Sequence, residues 1–378
     1  VLPRYEVAAR LRPVDLWRPG PVRAPYAAVT AERGPLELAG VEATFDDRVT
    51  LHVDGTSHRS RRSGRPEAPV EAVALTLTGP QVTAFTRERG TWVARARCVF
   101  EEQPPVPTAA SHELGRFGQL GLRDLRVVDH DGDELLLTAT SAGPGGFPTG
   151  HTSVWALDRS TLGLEHRADL FLRRGGRVYG DHAAHLLRDG GRWLLAASTW
   201  GDFEPDERPV SVVLATSSED LTRGVHVLDA EPLALPTDGF RSVGVWDPHL
   251  ARTDDGWLVG YVSARRYFRF HPVLAAGPSL DALTVRAVGA GHETEGTTLA
   301  RLDGEWRVLA SDKHRRAYPV LDLDLREVGT LDAAYPSNIP WPTLAGDLLI
   351  GFDGTAYGGR VVGYGSHGDV VVQRAVSP

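Results

Sequence analysis

Four stretches decide how this chain folds: Arg123-Asp124-Leu-Arg-Val-Val-Asp-His-Asp-Gly132, Gly180-Asp181-His-Ala-Ala-His-Leu-Leu-Arg-Asp-Gly190, Trp246-Asp247-Pro-His-Leu-Ala-Arg-Thr-Asp-Asp-Gly256 and Thr294-Glu295-Gly-Thr-Thr-Leu-Ala-Arg-Leu-Asp-Gly304. Each opens on an acid and ends on Asp-Gly or Gly, and an apolar strand follows: Glu134–Ala139, Arg192–Ala197, Trp257–Val262 and Glu305–Ala310. The distance from the leading acid to the closing Asp is eight residues in three copies and seven in the first. Regular repetition of one supersecondary unit marks a radial or stacked architecture. It also delivers one carboxylate per unit to an equivalent place.

Working outward, the leading acids are spaced by 57, 66 and 48 residues. A degenerate fifth unit follows at Ser337–Gly346, with Ser337 where the acid would stand and a strand at Asp347–Phe352. Units of this size built from short strands match the blades of a β-propeller. Short aliphatic and β-branched runs punctuated by Gly, Asp and Pro, with 41 Gly and 26 Pro, give the same all-β class. The expectation is therefore an all-β chain. Residues 106–378 form a five-bladed β-propeller, and residues 1–105 a β-rich accessory or entry segment, with Glu101–Pro107 as linker. Short helical turns are expected only near Arg4–Leu11 and Ser217–Thr222.

Composition excludes several classes. Hydrophobic content of 42% and charged content of 24% suit a globular protein with a large core. A net charge of −8 argues against nucleic acid and anionic membrane as partners. Lys313 is the only lysine, and the rest of the cationic charge is arginine. The single cysteine, Cys98, excludes an internal disulfide and a cysteine-based metal cluster. No apolar run is long enough to span a bilayer. A cytoplasmic protein is expected, or a secreted one if a leader was removed before Val1.

An isolated Asp before a strand is ordinarily a turn or capping residue, and Asp131, Asp189, Asp255 and Asp303 are read as turn residues of the hairpins. The leading acids lie at the opposite end of their strands, and one of them is Glu. Three acids at one channel mouth can divide labour, one ionised as general base and one kept protonated as general acid by burial and like charge. Glycoside hydrolysis needs that division.

Here the chain resembles glycoside hydrolase family 43, the five-bladed propeller arabinofuranosidases, xylosidases and arabinanases, over about residues 112–365. Arg123-Asp124-Leu125 is similar to the family's base motif, Trp246-Asp247-Pro248 to the motif whose Asp tunes the acid, and Glu295-Gly296-Thr297 to the acid motif. Leu125 and Thr297 stand where the family has proline, and Asp181-His182 stands where it has no acid. The resemblance implies inverting hydrolysis of a pentoside or furanoside-type bond, with Asp124 as base, Glu295 as acid and Asp247 as modulator. Asp181, His182, His185, Trp200, Trp246 and Arg265 are candidate substrate contacts, and Glu293 is a rival for the acid role. No catalytic cofactor is implied. A structural calcium ion held in the central channel through water and a fifth-unit histidine is implied, with His367 the candidate; metal stays open. The expected partner is a carbohydrate or glycoside. Two other readings stand beside this one: a non-catalytic sugar-binding propeller, and a related pocket used for non-hydrolytic cyclisation or elimination.

Overall fold

The computed structural model describes residues 2–267, 269–337, 339–354 and 368–376, and of residues 130 and 131 the backbone alone. His367 lies outside the described residues. Among them there is no α-helix, only two three-residue 3₁₀ turns, Phe147–Thr149 and Trp200–Asp202. No helix is long and apolar enough to cross a membrane.

All four expected hairpins form. Each leading stretch is a strand, Leu122–Asp131, His182–Asp189, Val245–Thr253 and Thr294–Leu302, paired antiparallel with the strand that follows it. The fourth turns on Asp303-Gly304 with φ of 51° and 82°, a pair of left-handed residues that matches the twist of the strands it joins. Two further strands complete each unit as a four-stranded antiparallel meander. The meanders of units three and four are separate sheets; those of units one and two are joined edge to edge by parallel pairing of Leu164–Arg174 with Gly224–Pro232. The four leading strands are the inner ones. They pack side by side in order, and the first also packs against Thr343–Ala345 of the last sheet.

That last sheet corrects one expectation. Arg4–Leu11 is a strand, not a helical turn, and it pairs antiparallel with Asp369–Val376 as the outermost member of Thr343–Ala345, Leu348–Asp353, Asp369–Val376 and Arg4–Leu11. The open backbone edge of Asp369–Val376 pairs with Arg4–Val7 and Ala9–Leu11 across a bulge at Ala8, which outweighs a local bias toward helix. Ser217–Thr222 is likewise a turn, held by Asp220 Oδ1 accepting from Thr222 N–H at 2.9 Å.

Between Arg4–Leu11 and the first inner strand the chain builds a sandwich. One sheet runs in the order Thr91–Val99, Gln81–Glu88, Val70–Thr78, Tyr26–Ala31, Gly115–Gln119, Asp15–Arg18, and the second is the meander Leu36–His58. Their shared core includes Val29, Leu36, Leu51, Leu75, Leu77 and Cys98. Cys98 is a buried thiol whose pKa burial pushes up to about 11, an inert packing residue. Sheet membership thus runs across the proline-rich stretch 101–107: Gly115–Gln119 belongs to the sandwich and Arg4–Leu11 to the last sheet of the ring.

The sandwich is fastened to unit one by a buried carboxylate. Asp169, 1% exposed, faces Arg18 and Arg116 of the sandwich, with Arg18 at 3.7 Å, and His151 and His166 of its own sheet, at 3.2 and 2.7 Å. These partners hold its carboxyl well below the usual range against the opposing effect of burial.

Candidate active site

Every inner strand carries the same irregularity near its start. The pairing register slips between Arg123 and Arg126, His182 and His185, Trp246 and His249, and Glu295 and Thr298. At each bulge one residue takes a left-handed backbone: Asp124 (φ 54°), Ala183 (54°), Asp247 (58°) and Gly296 (70°), with Ile339 (57°) at the corresponding place before Thr343–Ala345. Such bulges re-aim side chains that regular pleating would send outward. The four non-glycine residues each hold strain of about 1–3 kcal/mol; Asp tolerates the conformation best.

This alignment corrects the expected equivalence of the leading acids. Asp124 and Asp247 occupy the bulge itself, Glu295 the position before it, and Asp181 lies two positions before Ala183. Ile339 rather than Ser337 marks the fifth unit. The first strand holds a second slip between Val127 and Asp129, which takes up its one extra residue between bulge and turn.

Asp124, Asp247 and Glu295 meet. Each stands within electrostatic reach of the other two. Asp124 is 4% exposed and its Oδ2 accepts from Thr140 Oγ1 at 2.7 Å, while Thr140 accepts the Ala183 N–H at 3.0 Å. Burial raises the carboxyl of Asp247 well above its ordinary value, and the charges of Glu295 and Asp124 add to it. Its Oδ2 has no hydrogen-bond partner among the described residues. Burial lifts Glu295 to about 7, helped by Asp124; Arg123 and the indoles of Trp246 and Trp341 act in the opposite direction. Glu295 keeps part of its surface open.

The two departures from proline have local uses. Leu125 is buried and its carbonyl accepts from Thr343 Oγ1 at 2.6 Å, tying unit five to unit one. Thr297 Oγ1 donates to the Tyr261 carbonyl at 3.2 Å, tying unit four to unit three.

The other expected residues divide. Trp246 lines Glu295. His182 is fully buried beside Asp124, with Nε2 donating to the Phe147 carbonyl at 3.1 Å, and burial lowers it to about 4. Asp181 has no exposed surface, and both its oxygens are held, by Arg174 at 2.7 and 3.0 Å and by the Gly201 N–H at 3.0 Å. Trp200 stacks between Phe147 and Trp246, with ring centroids 4.4 and 5.5 Å away. Arg265 is exposed at the end of its strand. Glu293 is paired with Lys313 at 2.8 Å, which lowers its pKa and keeps it ionised, unlike an acid that must carry a proton.

Sequence reading missed Arg126, and with it His249 and Thr298. Two positions past the bulges stand Arg126, His185, His249, Thr298 and Trp341, one from each unit, and they touch across the axis. Arg126 donates to Thr298 Oγ1 and lies over Trp341 at 4.3 Å; the rings of His185 and His249 meet at 4.2 Å. Counted from the leading acids they stand two, four, two and three residues on, so no fixed spacing in the sequence marks them; they align only once the bulges are known.

These residues do not fit a calcium ion. Calcium takes six to eight oxygen ligands, carboxylates, carbonyls and waters, whereas the described residues at the axis offer a guanidinium, two imidazoles, an indole and a single hydroxyl, and His367 lies outside them. Nδ1 of His185 accepts the Leu250 N–H at 3.1 Å, and Nδ1 of His249 the Leu299 N–H at 2.7 Å. Burial depresses both rings, His185 to about 3, so each is neutral with its proton on Nε2 and has no lone pair left for a metal. Among the described residues no group of three or more His, Cys, Asp or Glu could hold a metal.

No known family profile matches the chain, and no curated protein matches it. Solved structures that match include glycoside hydrolases of propeller fold and a β-1,2-mannobiose phosphorylase from Listeria innocua. A thermostable family-43 glycoside hydrolase is 13% identical over 68% of this chain and 93% of its own, with a TM-score of 0.45. An arabinanase from Bacillus subtilis is 12% identical over 69% and 96%, with a TM-score of 0.45. A family 117 glycoside hydrolase from Zobellia galactanivorans is 11% identical over 67% and 84%, with a TM-score of 0.49. Identities this low leave the chemistry to be read from the site itself.

Proposed function

We propose that the chain is a glycosidase built on a five-bladed propeller, in which Asp124, Asp247 and Glu295 carry out single-displacement hydrolysis of a pentoside or furanoside-type bond. One observation carries the reading: three inner strands bring Asp124, Asp247 and Glu295 within electrostatic reach of one another, two of them buried and Glu295 left partly open with its carboxyl raised by burial.

In this mechanism Asp124 takes a proton from water as the water oxygen attacks the anomeric carbon. Glu295 gives its proton to the departing glycosidic oxygen, so the leaving group departs neutral and the configuration inverts. Thr140 holds the Asp124 carboxylate in one orientation. Burial and the charge of Asp124 keep the proton on Glu295 until the leaving oxygen becomes basic, and Asp247, whose own carboxyl is raised by burial and by those two neighbours, is the modulator of the pair. Trp246, beside the acid, offers an apolar face to the sugar ring. The five four-stranded meanders, the last completed by Arg4–Leu11, support the blade number; residues 15–119 form an accessory sandwich inserted between that strand and blade one.

The test is a panel of chromogenic pentosides and hexosides with wild type, Asp124→Asn and Glu295→Gln. Turnover by the wild type and losses of about 10²–10⁴-fold in each variant are expected, with inverted anomeric configuration seen by NMR of the first-formed product. Binding of sugars without turnover of any glycoside would overturn the enzyme reading, and a retained configuration would overturn the single displacement.

A further inference from the structure

The axial cluster beneath the carboxylates poses a problem of its own. Arg126 is fully buried, yet its Nε has no hydrogen-bond partner among the described residues. A guanidinium so placed costs stability unless it is matched by charge. The matching charges are carboxylates of the site, Asp247 and Asp124. Its bonds run to backbone-fixing groups. One amine lies 3.5 Å from the Asp247 carbonyl; another donates to Thr298 Oγ1, whose own hydroxyl donates to the Gly296 carbonyl at 2.8 Å. Asp247 and Gly296 are the left-handed residues of bulges three and four. Trp341 from unit five closes over the guanidinium, and its ring lies where a Cβ on Gly296 would fall, 2.5 Å away. One side chain thus ties together the units that supply base, modulator and acid.

We propose that Arg126 is the positioning residue of this site: a protein-borne cation that occupies the axis in place of a metal ion and holds the two strained bulges that present Asp247 and Glu295. It acts through backbone and charge and touches no substrate. The inference rests on the reading of the three carboxylates as catalytic, but its test does not depend on turnover alone.

The groups that face Arg126 or its carboxylates are Asp124 and Arg123 from unit one, His182 and His185 from unit two, Asp247 and His249 from unit three, and Glu295 from unit four; Thr298 and Trp341 are uncharged. Burial lowers His185 to about 3 and His249 well below its ordinary value, so at neutral pH the counter-charge to the carboxylates is Arg123 and Arg126. Removing a nearby cation raises carboxyl pKa values by about 1–3 units.

The experiment uses the full chain. Thermal unfolding of the wild type is followed with EDTA and with calcium chloride, and tryptophan fluorescence of wild type, Arg126→Lys and Arg126→Met is titrated from pH 4 to 9, with Asp247→Asn to identify the carboxylate transition. The expected results are a wild-type Tm indifferent to chelator and calcium, and a fluorescence midpoint at least one unit higher in Arg126→Met and close to wild type in Arg126→Lys. With a turned-over glycoside in hand, Arg126→Met should lower kcat about 100-fold with little change in KM. Arg126→Lys, which keeps the charge without the planar fork, should recover part of it. Loss of Tm on chelation, reversed by calcium, would overturn the proposal, and so would an unmoved midpoint in Arg126→Met. If Arg126→Met does not fold, a wild-type midpoint with lowered kcat in Arg126→Lys supports the proposal, and full activity in Arg126→Lys overturns the backbone role. Failure of the glycosidase reading would show separately, as absence of turnover in the wild type.

Discussion

Glu295 shows how residue-scale environment sets function. Its carboxyl is lifted to about 7 by burial and by the charge of Asp124. A general acid must be protonated, so the rate should fall as pH rises through about 7, and a pH–rate profile of kcat/KM should show an alkaline limb there. The same shift enters stability. A carboxyl whose folded pKa exceeds its unfolded value near 4.3 adds stability that is complete below about pH 4 and lost by about pH 7. Glu295→Gln, which carries no charge to bury, should therefore be the more stable protein at pH 8 and lose that advantage at pH 5, a crossover measurable as Tm against pH. His182 works in the other direction. Its pKa is lowered to about 4, so stability is lost as pH falls from about 6.5 toward 4. The acids themselves were legible because Asp124, Asp247 and Glu295 sit in short motifs in a fixed order. Asp181 shares the motif's outline, but whether an Asp reaches a ligand or an arginine depends on a partner seven residues back, Arg174, which is out of register with any repeat.

At the scale of the element, the bulge is the functional unit. A regular inner strand would alternate its side chains between neighbouring sheets; the slip and the left-handed residue bring Asp124, Asp247 and Glu295 to one place from units one, three and four. Position 296 carries the sharpest consequence. Its φ is +70°, and a Cβ there would come within 2.5 Å of Trp341 Cδ1. Gly296→Ala should combine left-handed strain of about 1–2 kcal/mol with overpacking of about 1–3 kcal/mol. A fall in Tm is expected together with a loss of activity, because the indole and Glu295 move with it. A Tm equal to wild type would refute this account of the fourth bulge. Hairpin strands and turn glycines could be read from sequence by period and composition. The bulges could not, because a bulge is defined by the partner strand's count, and Asp124 and Asp247 look like ordinary turn formers until the pairing is known.

In the whole molecule, closure and attachment are matters of distant pairing. Arg4–Leu11 completes the last sheet from the other end of the chain, with Arg10 bound to Asp353 at 2.8 Å and Arg12 to Asp369 at 2.6 Å. Deleting residues 1–11 should expose the edge of Asp369–Val376 and produce a protein that self-associates, seen by light scattering. A monomer of unchanged Tm would show that the strand is dispensable. At the sandwich, Asp169→Asn removes one buried charge from opposite Arg18 and Arg116, and a loss of about 3–5 kcal/mol is expected from denaturant unfolding at pH 7. The repeated stretches by themselves determined the all-β class and the order of the hairpins, and singled out the three acids that the fold brings together, because alternation, turn residues and short motifs are local properties of the chain. Only the tertiary structure decided that Arg4–Leu11 is a strand, that Asp181 is bound away from the mouth, and that Arg126 fills the axis. Each of those outcomes depends on a partner far off in sequence, and on the free energy of burying a charge or an unpaired edge, which no local pattern records.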